Sequence, residues 1–245
     1  MDENVYTNWR SLIKPRRVER DPKSDRTYGK FVIRPLERGF GTTIGNSLRR
    51  ILLSSLQGAA ITSVRIEGVL HEFSFIPGIV EDVTDIVLNV KGVLLRTSSI
   101  ETLHGRIEAK GRPGETVVVR ARDFSFDGDC EVLNPEHPIA TLTEDGSFEA
   151  EVTVKMGKGY VPAAQNKSDD EPIGTIPVDA IFSPIQRVRY TVTNARVGQR
   201  TDYDKLTMEL WTDGSVVPED ALAYAAKILK EQLQIFINFA EEDEP

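Results

Sequence analysis

The sequence predicts an α+β fold: a discontinuous α/β domain, with two main helices packed on an antiparallel sheet, interrupted by an inserted β-rich subdomain. Three observations carry that prediction. Residues 34–57 contain a helix with two differently made faces. Residues 58–183 have the texture of short strands and turns. From residue 184 onward, long alternating strands lead into a second, strongly apolar helix. Residues 1–57 and 184–245 are therefore expected to form one domain and 58–183 the insertion, so that both ends of the sequence belong to the same domain.

The first elements are two strands, at residues 12–20 and 31–36, joined by the turn-forming run DPKSDRTYG. The helix follows. At 100° per residue Ile44, Leu48, Ile51, Leu52 and Leu56 form one apolar stripe, while Asn46, Arg50, Leu53 and Gln57 gather on the opposite side. The first face is core. The second mixes an arginine, two amides and a leucine, as a partner surface does, and Gly58 is read as the helix stop. Gly39, Gly41 and Gly45 precede and enter this helix, but their spacing excludes nucleotide binding. A dinucleotide fingerprint needs two residues between its second and third glycines where this chain has three, and a phosphate loop needs a lysine where it has Asn46. The glycines instead make a tight turn that presents Phe40 and starts the helix.

In the middle region, Thr62, Val64 and Ile66 alternate with polar neighbours, as do Leu103, Ile107 and Ala109, and the run from Phe148 to Met156 is the clearest half-buried strand. A short helix at 84–91 interrupts them, capped by Thr84 or Asp82 and closed by Lys91 and Gly92, where a cation and a glycine are favoured. Residues 162–174 are polar and aperiodic, an exposed loop carrying the acidic run Asp169, Asp170 and Glu171. Val188, Tyr190 and Val192, then Leu206, Met208 and Leu210, mark the two returning strands. Between them, residues 194–206 carry mixed charge suited to a hairpin end or the rim of an interface. After the turn at Thr212, Asp213 and Gly214, Pro218 takes a favoured first helical position with Glu219 and Asp220 beside it. The helix is expected to run to about Ala240. Leu222, Leu229, Leu233 and Phe236 centre an apolar arc of about 200°, wider than one sheet can cover. No other helix is available for the extra side; the two readings are a second copy of the chain, which would make this a dimerisation domain, and a helix buried wholly inside its own domain.

Composition excludes several function classes. No run approaches the roughly 18 apolar residues of a membrane span, and the N-terminal MDENVYTNWR lacks a signal region, so the chain is expected in the cytoplasm. Cys130 is the only cysteine, which rules out an internal disulfide. His71, His104 and His137 fall at equal intervals in unrelated contexts and have no ligand-like spacing. No nucleophile elbow is present, and neither a catalytic centre, a metal nor a cofactor is expected. The net charge of −8 is uneven: residues 1–57 hold 12 Lys and Arg against 6 Asp and Glu, the rest 18 against 32. Arg10, Lys14, Arg16, Arg17 and Arg20 could meet phosphate, but so acidic a body opposes direct nucleic-acid binding.

The runs RPLERGFGTTIGNSLRRILLSS, GVLHEFSFIPGIVEDVTDIVLNVKG, KGYVPA, PIGTIPVDAIFSPIQRVRY and NARVGQRTDYDKL closely resemble, in order and over nearly the whole chain, the N-terminal domain of the bacterial RNA polymerase alpha subunit. The resemblance implies a non-catalytic subunit that homodimerises through its two helices and serves as the platform for the beta and beta-prime subunits in transcription. By position, Arg50 and Leu53 resemble beta-contacting residues, with Asn46 on the same face and Arg196 and Arg200 in a beta-facing loop. Lys91 and Val178 resemble residues linked to beta-prime. Phe40, Ile44, Leu48, Ile51 and Leu52 join the last-helix residues as the expected dimer interface. The family's DNA-binding C-terminal domain has no counterpart before the final EEDEP, so DNA binding is not carried over, and the sequence is expected to be the N-terminal portion of a longer subunit. The competing reading, a self-contained enzyme or nucleotide-binding protein, would have to use the Gly39–Gly45 turn.

Overall fold

The computed structural model describes residues 12–167, 171–197 and 200–237. In chain order β1 (Val18–Arg20), β2 (Tyr28–Leu36) and α1 (Phe40–Ser54) come first. Then follow β3 (Gln57–Ile66), α2 (Val83–Lys91), β4 (Leu95–Thr97), β5 (Leu103–Lys110), β6 (Val117–Arg120), β7 (Ser125–Phe126), β8 (Cys130–Val132), β9 (Pro138–Leu142), β10 (Ser147–Lys158), β11 (Tyr160–Val161), α3 (Ala163–Asn166), β12 (Thr175–Pro177) and β13 (Ala180–Ile181). β14 (Ile185–Val197), β15 (Arg200–Thr212) and α4 (Pro218–Gln234) come last. Two compact units result, one from residues up to Leu56 with those from Ile185 onward, the other Gln57–Pro184.

In the first unit an antiparallel sheet of order β1-β2-β15-β14 carries α1 and α4. Leu206, Met208 and Leu210 recur at period two along β15, all with no exposed surface, and meet Phe31, Leu48, Leu52, Ala221 and Ala225 in one core. Two close approaches make this packing possible. A Cβ on Gly45 would lie 2.8 Å from the Tyr190 ring and 2.9 Å from Leu206, and one on Gly29 would lie 2.5 Å from Cβ of Pro218. Arg49 ties α1 to the sheet by donating from Nε to the Val188 carbonyl at 3.4 Å.

In the second unit β7-β5-β10-β3-β4-β8 form a sheet, with β12 also pairing to β3. Phe148, Val64, Ile107, Ile139 and Leu142 fill its core beneath α2, whose Val83, Ile86 and Val90 are fully buried. Asp82 caps α2 by accepting from the Asp85 amide at 2.7 Å, and Gly92 ends it. The outer face is polar: Arg65 pairs with Glu151 and Arg106 with Glu149 across adjacent strands.

Several expected boundaries shift. The first strand shrinks to Val18–Arg20, since Pro15 cannot donate to a ladder. Helix α1 ends at Ser54, with the Ser55 amide bonded to the Ile51 carbonyl at 2.8 Å, and Gln57 and Gly58 already belong to β3. Gly58 is a packing glycine, not a stop. It faces Gly157 across β10, and a Cβ there would come within 2.1 Å of the Phe182 carbonyl oxygen. Helix α4 ends at Gln234; Ala240 lies outside the described residues, as do Arg10, Asp169 and Asp170.

Candidate functional site

The outward face of α1 begins with a helix start that its own sequence does not cap. Gly39, in the left-handed region at φ 92°, occupies the N-cap position and has no side chain to offer the first amides. Asp204 of β15 supplies the missing acceptor: its Oδ2 receives the Gly39 amide at 2.8 Å and the Gly41 amide at 3.0 Å. A carboxylate therefore already stands where a phosphate would have to bind. Along the helix, Asn46 and Arg50 are exposed, and no ion pair of Arg50 occurs among the described residues. Its neighbour Arg49 points the other way, to the sheet.

On α4 the burial runs out before the helix does. Pro218, Ala221 and Ala225 are buried and Leu222, Ile228 and Leu229 pack partly on the core, but every residue from Lys230 to Ile237 is exposed. Among these are Leu233, Ile235, Phe236 and Ile237, the last two at 72% exposure. Large apolar side chains left this open need a cover.

In the second unit, Lys91 at the end of α2 donates from Nζ to Oδ2 of Asp179 at 3.1 Å. The amide of Ala163 donates to the other oxygen at 2.9 Å. Together with the Ala163 amide, Lys91 holds the Asp179 carboxyl below the ordinary carboxylate range. Leu70, Phe73 and Phe75 form a further open apolar stretch on the loop before α2.

The potential chemistry groups are otherwise occupied. Burial, with Asp129 and Asp127 nearby, pushes the Cys130 thiol up to about 11. His137 Nε2 lies 2.8 Å from the Asn89 carbonyl, and His71 Nδ1 lies 3.2 Å from Ser74 Oγ. Among the described residues no cluster of three or more His, Cys, Asp or Glu could hold a metal, and no helix is long and apolar enough to cross a membrane.

Residues 64–183 match the family model for the RNA polymerase Rpb3/RpoA insert domain. The chain is 61% identical over 242 residues to the DNA-directed RNA polymerase subunit alpha of Geobacter metallireducens, covering 98% of this chain and 70% of that protein. The corresponding subunit of Pelobacter propionicus is 61% identical over 243 residues, with 98% and 70% coverage. That of Desulfosudis oleivorans is 55% identical over 245 residues, with 100% and 71% coverage. The chain belongs to the bacterial RNA polymerase alpha-subunit family.

As an alpha subunit it is a non-catalytic component of a nucleotidyltransferase. The structure sorts the residues expected to serve that role. Asn46 and Arg50 share an exposed face of α1, whereas Leu53 is half-buried against the core and Gln57 has left the helix for β3. Arg196 is exposed near the end of β14, and the Arg200 side chain lies outside the described residues. Among the expected dimer residues, Leu48 and Leu52 need correcting. At 8% and 0% exposure they are filled in by their own protomer and have almost no area left to lose to another. Ile44, Ile51, Leu222 and Leu229 are half-buried on the same core, while Phe40, Leu233 and Phe236 are open. Val178 is 1% exposed and lies inside the core of the second unit, and beside it stands the half-buried Asp179, paired with Lys91.

Sequence reasoning missed three features of the alpha subunit. By sequence Asp204 belongs to the mixed-charge run 194–206, suited to a hairpin end or an interface rim. The available signal was negative, a helix start without a Ser, Thr, Asp or Asn of its own. Asp179 carried no local signal, because its partner lies 88 residues away. Phe73 and Phe75 show no period that separates an exposed pair from a buried one.

Proposed function

We propose that this alpha subunit homodimerises through the apolar surface that α4 leaves uncovered, with Phe40 on α1 contributing, and that the dimer is the platform on which the beta and beta-prime subunits assemble. One observation carries the reading. Helix α4 leaves its own core before it ends, and Leu233 in its last turn with Ile235, Phe236 and Ile237 in the turn after it are all exposed. Burying several of these against a second copy contributes about 1.5–3 kcal/mol each, enough together to offset the cost of association. The exposed face of α1 with Asn46 and Arg50 is the beta-docking surface, with Arg196 and Arg200 at its rim, and the Lys91 region receives beta-prime. The subunit acts in the bacterial cytosol, at the nucleoid through the polymerase, and binds no DNA by the residues described.

Sedimentation and co-purification test this division. Phe236→Glu combined with Leu233→Glu is expected to give a folded monomer, since both side chains are exposed in the protomer and the added charges would be buried only in the dimer. Arg50→Ala is expected to remain dimeric while losing capture of beta. A dimer surviving the double glutamate change at micromolar concentration, or an Arg50→Ala variant that is monomeric, defeats the proposal.

A further inference from the structure

Lys91 sits at the end of a helix whose last turn is held from outside. Asn134 donates from Nδ2 to the Gly92 carbonyl at 2.9 Å and accepts the Leu94 amide at 2.9 Å, while His137 bonds the Asn89 carbonyl. The backbone at Lys91 is thereby fixed, but its four-carbon side chain is free to choose among many rotamers.

Asp179 makes that choice for it. The carboxylate stands on a strap that is locked into the unit on both sides. On one side Val178 is buried, its amide donating to the Thr62 carbonyl at 2.8 Å and its carbonyl accepting from Asn166 Nδ2 at 2.7 Å. On the other, Phe182 is 5% exposed, its ring against Gly157 and its carbonyl against the facing Gly58. Thus anchored, Asp179 holds Lys91 through one oxygen and the first amide of α3 through the other.

We infer that Asp179 is the positioning residue of the Lys91 surface: it orders the lysine and the start of α3 into one preformed patch, so that the partner meets a fixed cation instead of a mobile side chain. This rests on the reading that the Lys91 region receives beta-prime. It also gives Val178 a role suited to its burial, as the anchor behind the carboxylate. Preorganisation of this kind acts on affinity by removing an ordering cost that binding would otherwise bear.

The test uses the dimer with beta already bound and titrates labelled beta-prime. Asp179→Asn keeps an acceptor for the Ala163 amide but removes the charge that holds Lys91. Its affinity for beta-prime is expected to fall about tenfold, a ratio within the range of couplings between contacting residues. Dimer size, capture of beta and melting temperature should stay unchanged. Lys91→Met should show a similar loss, and the double variant no more than either alone. If Lys91→Met weakens binding while Asp179→Asn does not, or if the two losses multiply, the positioning role is overturned and the docking site stands. If Lys91→Met binds like the parent, the docking site falls and this inference with it.

Discussion

Asp204 caps a helix to which it does not belong: its carboxylate on β15 accepts the amide of Gly41, 163 residues earlier, at 3.0 Å. The same oxygen takes the Gly39 amide, and a Cβ at Gly41 would lie 3.0 Å from it, so the glycine is what lets the acceptor reach the backbone. The start of the helix that carries Arg50 is therefore set by the returning strand. Removing the carboxylate leaves two amides without it, one of them buried. Asp204→Ala is expected to destabilise the first unit by about 1–3 kcal/mol in urea unfolding. Asp204→Asn, which keeps an acceptor oxygen, should cost clearly less. Equal losses for the two variants would show that the contact acts through charge alone.

Gly58 faces Gly157 beneath Phe182, and a Cβ there has no room. Because the obstacle is a backbone oxygen at 2.1 Å and not a movable side chain, Gly58→Ala should displace the strap. The expected loss is about 1–3 kcal/mol by equilibrium unfolding. An alanine variant as stable as the parent would refute the close approach.

Burial raises the Asp213 carboxyl above its ordinary value, against bonds from the Ser215 hydroxyl and amide that lower it. Between 3.8, the unfolded value, and the raised folded value, the folded chain binds the extra proton, so this group's contribution to stability falls as pH rises and is constant above that window. Asp213→Asn removes the dependence. The stability of the parent relative to this variant is expected to rise as pH falls through the folded value, read from urea midpoints across acidic pH. A difference that is flat, or that slopes the other way, would count against the burial of Asp213.

Cys130, with its thiol raised to about 11, has little thiolate at pH 8. Labelling with a thiol-specific disulfide reagent should be slow in the native protein and should accelerate many-fold once urea unfolds it. Prompt labelling of the native chain would place the sulfur in solvent.

Phe73 and Phe75 are 82% and 68% exposed. Their replacement together by serine should change stability by no more than about 0.5 kcal/mol, the range of ordinary surface substitutions. A larger loss in thermal or urea unfolding would mean that the loop packs on its own unit.

Much of this architecture is legible from period and caps. Leu206, Met208 and Leu210 announce β15, Asp82 and Gly92 bracket α2, and Pro218 opens α4, because each depends on neighbours a few residues away. The face of α1 with Asn46 and Arg50 is readable for the same reason: helical angle is a local property. The same angle could not say whether Leu48 and Leu52 meet their own sheet or a second chain, since an apolar stripe is equally suited to both.

The sequence by itself determined the alternation of elements, the two-faced helix and the absence of a nucleotide loop, because short-range backbone geometry fixes those. Only the tertiary structure decided that Asp204 caps α1, that Gly58 makes room for Phe182, and that Asp179 holds Lys91. Each of these joins residues more than eighty positions apart, and no local pattern encodes which distant carboxylate or ring will arrive.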